Sequence, residues 1–176
     1  MIISISGTAG SGKSTVAKKL AKQFGFKHYS MGDLQREVAE EKGISIMELG
    51  ELEKTDPSID KMIDDKQREL GEKEDNFVID SWLAPVFIPN AIKIFLDADI
   101  KERARRRTGE KRTTETYQKQ ADAEKSIVQR ENTNRERWMR FYDFDFKNTK
   151  NYDRIIDTTD TLIEEVMKKV NEFIKK

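Results

Sequence analysis

The stretch that decides the fold is Gly7-Thr8-Ala9-Gly10-Ser11-Gly12-Lys13-Ser14, which matches the pattern G-x-x-x-x-G-K-[ST] without a gap. Before it, Ile2 to Ser6 form a β-branched apolar run of the kind found in buried parallel strands. After it, Lys13 to Phe24 carry apolar residues at spacings of three and four, typical of an amphipathic helix. A glycine-rich turn in which the lysine occurs by chance would not need a buried strand before it and an amphipathic helix after it. The stretch therefore predicts a loop that cradles the phosphates of a nucleoside triphosphate.

Each part of this phosphate loop has a chemical reason. Its three glycines let the backbone curl so that N–H groups converge on phosphate oxygens, and the following helix adds its N-terminal dipole. Lys13 is expected near the β- and γ-phosphates, and the Ser14 hydroxyl is expected to ligate Mg²⁺. The predicted ATP-binding residues in this stretch are Gly7, Thr8, Ala9, Gly10, Ser11, Gly12, Lys13, Ser14 and Thr15.

The composition excludes several other classes of protein. The 176 residues contain no cysteine and a single histidine, His28, which excludes disulfides and thiolate zinc sites. Lysine plus arginine and aspartate plus glutamate both total 33, so no net charge attracts nucleic acid or an anionic membrane. The chain starts without a basic, cleavable leader, and no apolar run approaches membrane-spanning length. We expect a cytoplasmic monomer with no membrane or nucleic-acid partner.

Strand-like and helical segments alternate along the rest of the chain, which predicts an α/β, three-layer P-loop kinase fold with a five-stranded parallel sheet. The predicted strands are 2–6, 26–29, 76–80, 91–96 and 154–157. The predicted helices include 13–24, 32–42, 57–70, 99–107, 115–140 and 162–174, with a capping box at Ser45 and Glu48. We expect one domain over 1–176, with a core of 1–29, 76–107 and 141–176, a helical insertion at about 30–75 that binds the acceptor, and a lid with a long helix at about 108–140.

The remaining motifs favour a small kinase over other phosphate-loop proteins. GTPases need an N-K-x-D segment after a strand, and this sequence has none. A kinase needs an acceptor site, for which Asp33 and Arg36 are candidates, and a cationic lid, for which arginines between 103 and 140 are candidates. Exposed arginines are usually solvated surface charges, so we expect two or three of them to reach phosphate. Asp80 ends a predicted strand and either holds Mg²⁺ with Ser14 or caps a turn.

The chain resembles the archaeal-type cytidylate kinases, a branch of the nucleoside monophosphate kinases, along most of its length. The similarity includes SISGTAGSGKST at 4–15, SMGDLQREVAEEKGISIMELG at 30–50, DPSID at 56–60, FLDADIKERARRR at 95–107, REN at 130–132, RW at 137–138, YDFDF at 142–146 and NYDRIIDT at 151–158. The phosphate loop defines only the superfamily. The later segments, in this order and spacing, make the resemblance specific.

The resemblance implies roles for individual residues. Ser30 and Arg36 would face the acceptor monophosphate, and Asp60 would lie near the base or ribose, although it could equally be a surface carboxylate. Thr158 would lie near the donor adenine. The lid, its hinge and the next turns would contribute the catalytic arginines Arg103, Arg106, Arg130 and Arg137, which act with Lys13.

One departure from the family pattern falls after the third strand. The family reads acid-Gly-Arg-Leu-Ala there, and its arginine binds the acceptor phosphate, whereas this chain reads Asp80-Ser81-Trp82-Leu83-Ala84. Trp82 could stack on a base of the substrate, or it could be a core aromatic beside Phe87 and Phe95.

The function implied by these features is Mg²⁺- and ATP-dependent phosphoryl transfer to a nucleoside monophosphate, with CMP or dCMP first and UMP next. Because Trp82 replaces the family arginine, a small kinase for another metabolite is an alternative. A further alternative is a regulatory ATP-binding module that switches a protein or RNA partner.

Overall fold

A parallel β-sheet forms the centre of the structure, a computed structural model that describes residues 1–109 and 116–175. The strands are β1 (Ile2–Gly7), β2 (Lys27–Ser30), β3 (Phe77–Asp80), β4 (Ile92–Asp97) and β5 (Arg154–Asp157). The helices of the described ranges are α1 (Lys13–Phe24), α2 (Met31–Lys42), α3 (Ile46–Leu52), α4 (Pro57–Lys73), α5 (Ala84–Phe87), α6 (Ile100–Thr108), α7 (Gln120–Tyr142) and α8 (Ile163–Ile174).

The strands pair in the order β2-β3-β1-β4-β5, and every pairing is parallel. β1 is therefore central, and Ile5 lies between Asp80 of β3 and Ile94 of β4. Every residue of β1 is buried, Ser4 and Ser6 as well as Ile3 and Ile5, as expected for a central strand that is covered on both faces. The predicted five-stranded parallel α/β fold is confirmed.

Helices cover both faces of this sheet and make the three layers. On one face, α1 and α8 pack on residues of the central strands; this cluster includes Ile3, Ile5, Val16, Leu20, Val78, Ile94, Val166 and Val170. On the other face, α2–α5 and α7 bury a second cluster, which includes Leu49, Ile63, Phe77, Ile79, Phe95, Trp138 and Phe146. None of the helices in the described part of the chain has the length and apolarity needed to cross a membrane.

Local capping signals set most helix ends where the sequence places them. Gly25 ends α1 in the left-handed conformation (φ 67°) and donates its N–H to carbonyls of the last turn. The Ser30 hydroxyl caps α2 by accepting the N–H of Asp33. Ser45 and Glu48 form the predicted capping box of α3.

The structure also differs from the predicted boundaries. Helix α4 continues to Lys73 instead of stopping near residue 70, and α7 occupies Gln120–Tyr142 instead of 115–140. Helix α5 and a 3₁₀ turn at Thr149–Asn151 were not predicted, because a single turn has no apolar period to reveal it. Residues 110–115 of the expected lid loop lie outside the described residues.

The close approach of Gly7 to β4 makes a stability prediction. A Cβ on Gly7 (φ 146°) would lie 2.0 Å from the carbonyl oxygen of Leu96, which is backbone of the neighbouring strand and cannot yield. We expect Gly7→Ala to lower the free energy of unfolding by about 3 kcal/mol or more in urea titration. The control is Gly50→Ala in α3, where a Cβ meets nothing within 4 Å and helix propensity favours alanine by about 0.5–1 kcal/mol. Equal effects of the two substitutions would contradict this account.

Candidate active site

A cavity of about 200 Å³ opens at the carboxyl ends of β1 and β3, where the phosphate loop turns into α1. Parallel α/β sheets bind ligands in the crevice outside this edge. Five cationic side chains and one carboxylate are among the residues that line it. The lining residues are Ala9, Gly10, Gly12, Lys13, Ser14, Thr15, Gly32, Arg36, Asp80, Trp82, Arg106, Arg107 and Arg130. This excess of positive charge suits an anionic ligand.

Contacts with β4 and with α6 hold the phosphate loop in place. Thr8 donates its N–H to the Leu96 carbonyl (3.2 Å) and its hydroxyl to Asp97 (2.8 Å), so the loop is fixed to β4. Gly10 packs on α6 so closely that a Cβ would lie 2.7 Å from the Arg103 carbonyl. Gly12, at φ 92°, is the N-cap of α1 and provides no side chain to cap it. The N–H groups at this helix start therefore point where an anion can accept them.

Lys13 lies at the centre of the cationic group. Its Nζ donates to the Thr8 carbonyl (3.2 Å) and lies 5.3 Å from the centroid of the Trp82 ring. Burial lowers the pKa of Lys13 to about 7; Asp80 opposes the shift, and Arg130, Arg107 and Arg36 add to it. A bound triphosphate would reverse this balance because it replaces lost solvation with negative charge.

Asp80 lies beside the start of α1, and each oxygen of its carboxylate has different hydrogen-bond partners. Its Oδ1 accepts the hydroxyls of Ser14 (3.2 Å) and Ser30 (3.1 Å), and its Oδ2 lies 2.9 Å from Nε2 of His28. A hydroxyl and a carboxylate are hard oxygen donors, and Mg²⁺ commonly uses one or two such protein ligands together with substrate phosphates. The described residues contain no cluster of three or more acidic or histidine ligands. Ser14 and Asp80 therefore fit a nucleotide-bound Mg²⁺ and not a metal held by protein alone.

The predicted acceptor residues divide between the cavity and its supports. Arg36 lines the cavity and forms an ion pair with Asp33 one turn earlier in α2. The Ser30 hydroxyl is directed to Asp80 and to the N-terminus of α2. Arg130 lines the cavity from α7 and donates to the side-chain carbonyl of Gln35 (3.3 Å), a contact that the sequence did not predict.

Arg106 joins the phosphate loop to the segment after β5. Its guanidinium donates to the Gly10 carbonyl (3.3 Å), the Thr158 hydroxyl (3.2 Å) and the Thr159 carbonyl (3.2 Å). The buried Thr158 hydroxyl in turn lies 3.0 Å from the Ser11 carbonyl. Beside these residues a second cavity of about 480 Å³ extends to Leu162. Thr158 lines this second cavity, and its placement near the donor base stays a prediction.

Two of the predicted catalytic arginines do not line the cavity. Arg103 is buried and forms an ion pair with Glu131 of α7. Arg137 lies between Glu53 and Asp60, with both N–O distances 2.8 Å, and all three side chains are buried. Geometry thus places these two arginines as ties between helices, and nothing in it supports a direct role in catalysis.

Asp60 shares that buried pairing and is not the surface carboxylate considered as an alternative. Burial raises its pKa to about 6, and Glu53 adds to the shift, although Arg137 opposes it. The contact joins α4 to α7, and Asp60 is not among the residues that line the cavity.

Trp82 is part of the aromatic core, although not beside Phe87 and Phe95, and it also lines the cavity; its stacking on a substrate base stays a prediction. Its ring packs 4.6 Å from the centroid of Phe146 and 5.4 Å from that of Trp138. Phe87 and Phe95 instead pack against tyrosines of α7 and of the segment before β5. The indole therefore closes the aromatic core and at the same time forms a wall of the cavity beside Lys13.

Sequence reasoning missed Arg107, Gln35 and His28. Arg107 is buried and lines the cavity, as do Arg106 and Arg130; that two or three of the lid-region arginines reach phosphate stays a prediction. No sequence signal separates Arg107 from its neighbours. His28 could have been found, because it lies two residues before Ser30 and a strand places such residues on one face.

The fold and this cavity define a P-loop kinase. The cytidylate kinase-like family matches residues 2–160, and the chain belongs to this family. It is 39% identical over 160 residues to a cytidylate kinase of Pyrococcus abyssi, which covers 90% of this chain and 85% of that protein. These findings identify the chain as a nucleoside monophosphate kinase.

Two further likenesses show where this fold recurs. The chain is 37% identical over 175 residues to an S-adenosylmethionine-dependent nucleotide dehydratase of Lacinutrix mariniflava, and the match covers 99% of this chain but 36% of that protein. A solved shikimate kinase of Bacteroides thetaiotaomicron shares the fold with a TM-score of 0.66 and 19% identity, covering 100% and 99% of the two chains.

The lowered pKa of Lys13 predicts proton uptake on nucleotide binding. At pH 8 the free protein should hold Lys13 largely neutral, and a bound triphosphate should raise its pKa again, so that up to about one proton is taken up. The measurement is calorimetry of MgATP binding in buffers of different ionisation enthalpy. Uptake should shrink at pH 6, where Lys13 is already charged, and should be absent in Lys13→Met. Equal uptake by that variant would assign the proton to another group.

Proposed function

We propose that this kinase transfers the γ-phosphoryl group of ATP, with Mg²⁺, to CMP, with dCMP and UMP as the next acceptors. The observation that carries the proposal is a single cavity where the phosphate loop faces Arg36 from α2 and Arg107 and Arg130 from α6 and α7. Donor and acceptor phosphates both need positive charge, and the phosphate loop and these three helices supply it to one cavity.

The reaction needs no nucleophile from the protein. An oxygen of the acceptor phosphate attacks the γ-phosphorus in line, and the bond to the β–γ bridging oxygen breaks to release ADP. Lys13 binds the β- and γ-phosphates, and the cavity arginines stabilise charge on the transferred group. Bound Mg²⁺, held by Ser14 and Asp80, would supply charge neutralisation between the donor phosphates.

One observation supports a pyrimidine nucleotide as acceptor. The Pyrococcus relative is a cytidylate kinase that covers nine-tenths of this chain. Trp82 favours the alternative of a different acceptor, since a family phosphate ligand is absent at that position and an aromatic wall stands there instead.

The test is ADP release from ATP and Mg²⁺ with a panel of CMP, dCMP, UMP, AMP and GMP. We expect the highest kcat/KM with CMP. Faster turnover of a purine monophosphate would keep the reaction and overturn the proposed base. ATP binding without stimulation by any of the five would overturn the monophosphate acceptor and favour another metabolite or a regulatory module.

Arg36→Ala is expected to affect the acceptor selectively. Loss of a charged hydrogen bond to phosphate costs about 1.5–3 kcal/mol, so the KM for the acceptor should rise at least about tenfold while the KM for ATP stays nearly constant. The matched control is Arg68→Ala, whose guanidinium pairs with Asp65 on the exposed side of α4. An unchanged acceptor KM in Arg36→Ala would remove this residue from the acceptor site.

A further inference from the structure

His28 lies on the same face of the sheet as the residues that surround the donor phosphates. In the parallel pairing of β2 with β3, His28 is opposite Val78 and Ser30 is opposite Asp80. Residues two apart in a strand share a face, so His28, Ser30 and Asp80 all point toward the layer that contains α1. The only histidine of the chain is thereby brought to the carboxylate that ends β3.

The contact between His28 and Asp80 has the geometry of a hydrogen bond to a fixed carboxylate. Nε2 lies 2.9 Å from Oδ2, and the side chains are 18% and 4% exposed. An ionised carboxylate can only accept, so the imidazole Nε2–H is the donor. Both groups sit on adjacent strands of the sheet, which holds the ring and the carboxylate in register.

The other partners of Asp80 cannot fix its carboxylate in the same way. Both hydroxyls bond Oδ1, and each has a second duty: Ser30 accepts the N–H of Asp33, and Ser14 is the hydroxyl available to Mg²⁺. When the Ser14 hydroxyl turns to a metal, Oδ1 loses that donor. The His28 contact is on Oδ2 and does not depend on that rotation.

We propose that His28 is a positioning residue that holds the Asp80 carboxylate in the plane needed for the metal–nucleotide complex. The inference rests on the proposed function in that Asp80 acts there beside Mg²⁺. Residues that orient a metal ligand typically change metal affinity 10–100-fold when they are removed. His28 should therefore control how much the metal strengthens nucleotide binding, and not how nucleotide binds alone.

The experiment measures binding of a non-hydrolysable ATP analogue with Mn²⁺, by electron paramagnetic resonance, and without metal in EDTA, by calorimetry. We expect His28→Leu to reduce the metal enhancement of binding about tenfold and to leave metal-free binding unchanged. His28→Gln can still donate from its amide nitrogen and should recover most of the enhancement. The matched control is Tyr29→Phe, which removes a hydrogen bond to Glu74 from the opposite face of β2 and should behave as the wild type.

Four outcomes would overturn the proposal. An unchanged enhancement in His28→Leu would leave His28 a packing residue, and equal losses with and without metal would show a general structural role. Equal impairment of the leucine and glutamine variants would show that the donor is irrelevant. In a double-mutant cycle, His28→Leu should have no further effect on enhancement in an Asp80→Asn background, and an additive loss would mean that His28 acts through another group.

Failure of this inference can be told apart from failure of the proposed function. The binding measurements contain no acceptor and require no turnover. A wild-type protein that binds Mn²⁺-nucleotide but phosphorylates no monophosphate would refute the proposed acceptor chemistry and leave the test of His28 intact.

Discussion

The main chain of Gly7 passes against the Leu96 carbonyl of β4, and the rest of the site depends on this contact. Any side chain at residue 7 would collide with backbone of the neighbouring strand. Thr8, the next residue, donates to both the Leu96 carbonyl and Asp97, and these hydrogen bonds fix the start of the phosphate loop to β4. The start of α1, Lys13 and the cavity come directly after this fixed segment.

The cavity that results is rich in positive charge. Five cations and one carboxylate line it, and burial, to which the neighbouring arginines add, lowers the pKa of Lys13 to about 7. Buried Arg103 and Arg137 each have a carboxylate partner in contact, and these ion pairs join α6 to α7 and α7 to α4. Among the cavity cations, Arg36 and Arg106 also pair with carboxylates, Asp33 and Glu102, but their side chains line the cavity, where an anion can bind them as well.

Structural features that depend on only a few neighbouring residues could be predicted from the sequence. The apolar run of β1, the glycine at the end of α1 and the Ser45–Glu48 capping box each act over a few residues, and all three are found in the structure. The phosphate loop is predictable for the same reason, since its glycines and Lys13 are contiguous.

The roles of the arginines could not be predicted in this way, because each role depends on partners that are distant in the sequence. Arg137 pairs with Glu53 and Asp60, and Arg103 pairs with Glu131, so charge patterns along α6 and α7 could not show which side chains are consumed by such pairs. The resemblance to a family places these residues near the lid but does not tell a tie between helices from a phosphate ligand. The same limit applies to His28, whose partner lies on a neighbouring strand.

Trp82 and Trp138, the two tryptophans of the chain, lie 5.4 Å apart in one aromatic cluster with Phe146. Because Trp82 also forms a wall of the cavity beside the Lys13 amine, the tryptophan fluorescence of the protein originates at the cavity itself. Intrinsic tryptophan fluorescence can therefore report on the state of the cavity. Occupancy of the cavity and packing of the aromatic core will change the same spectrum, and ligand association can be followed in the unlabelled protein in real time.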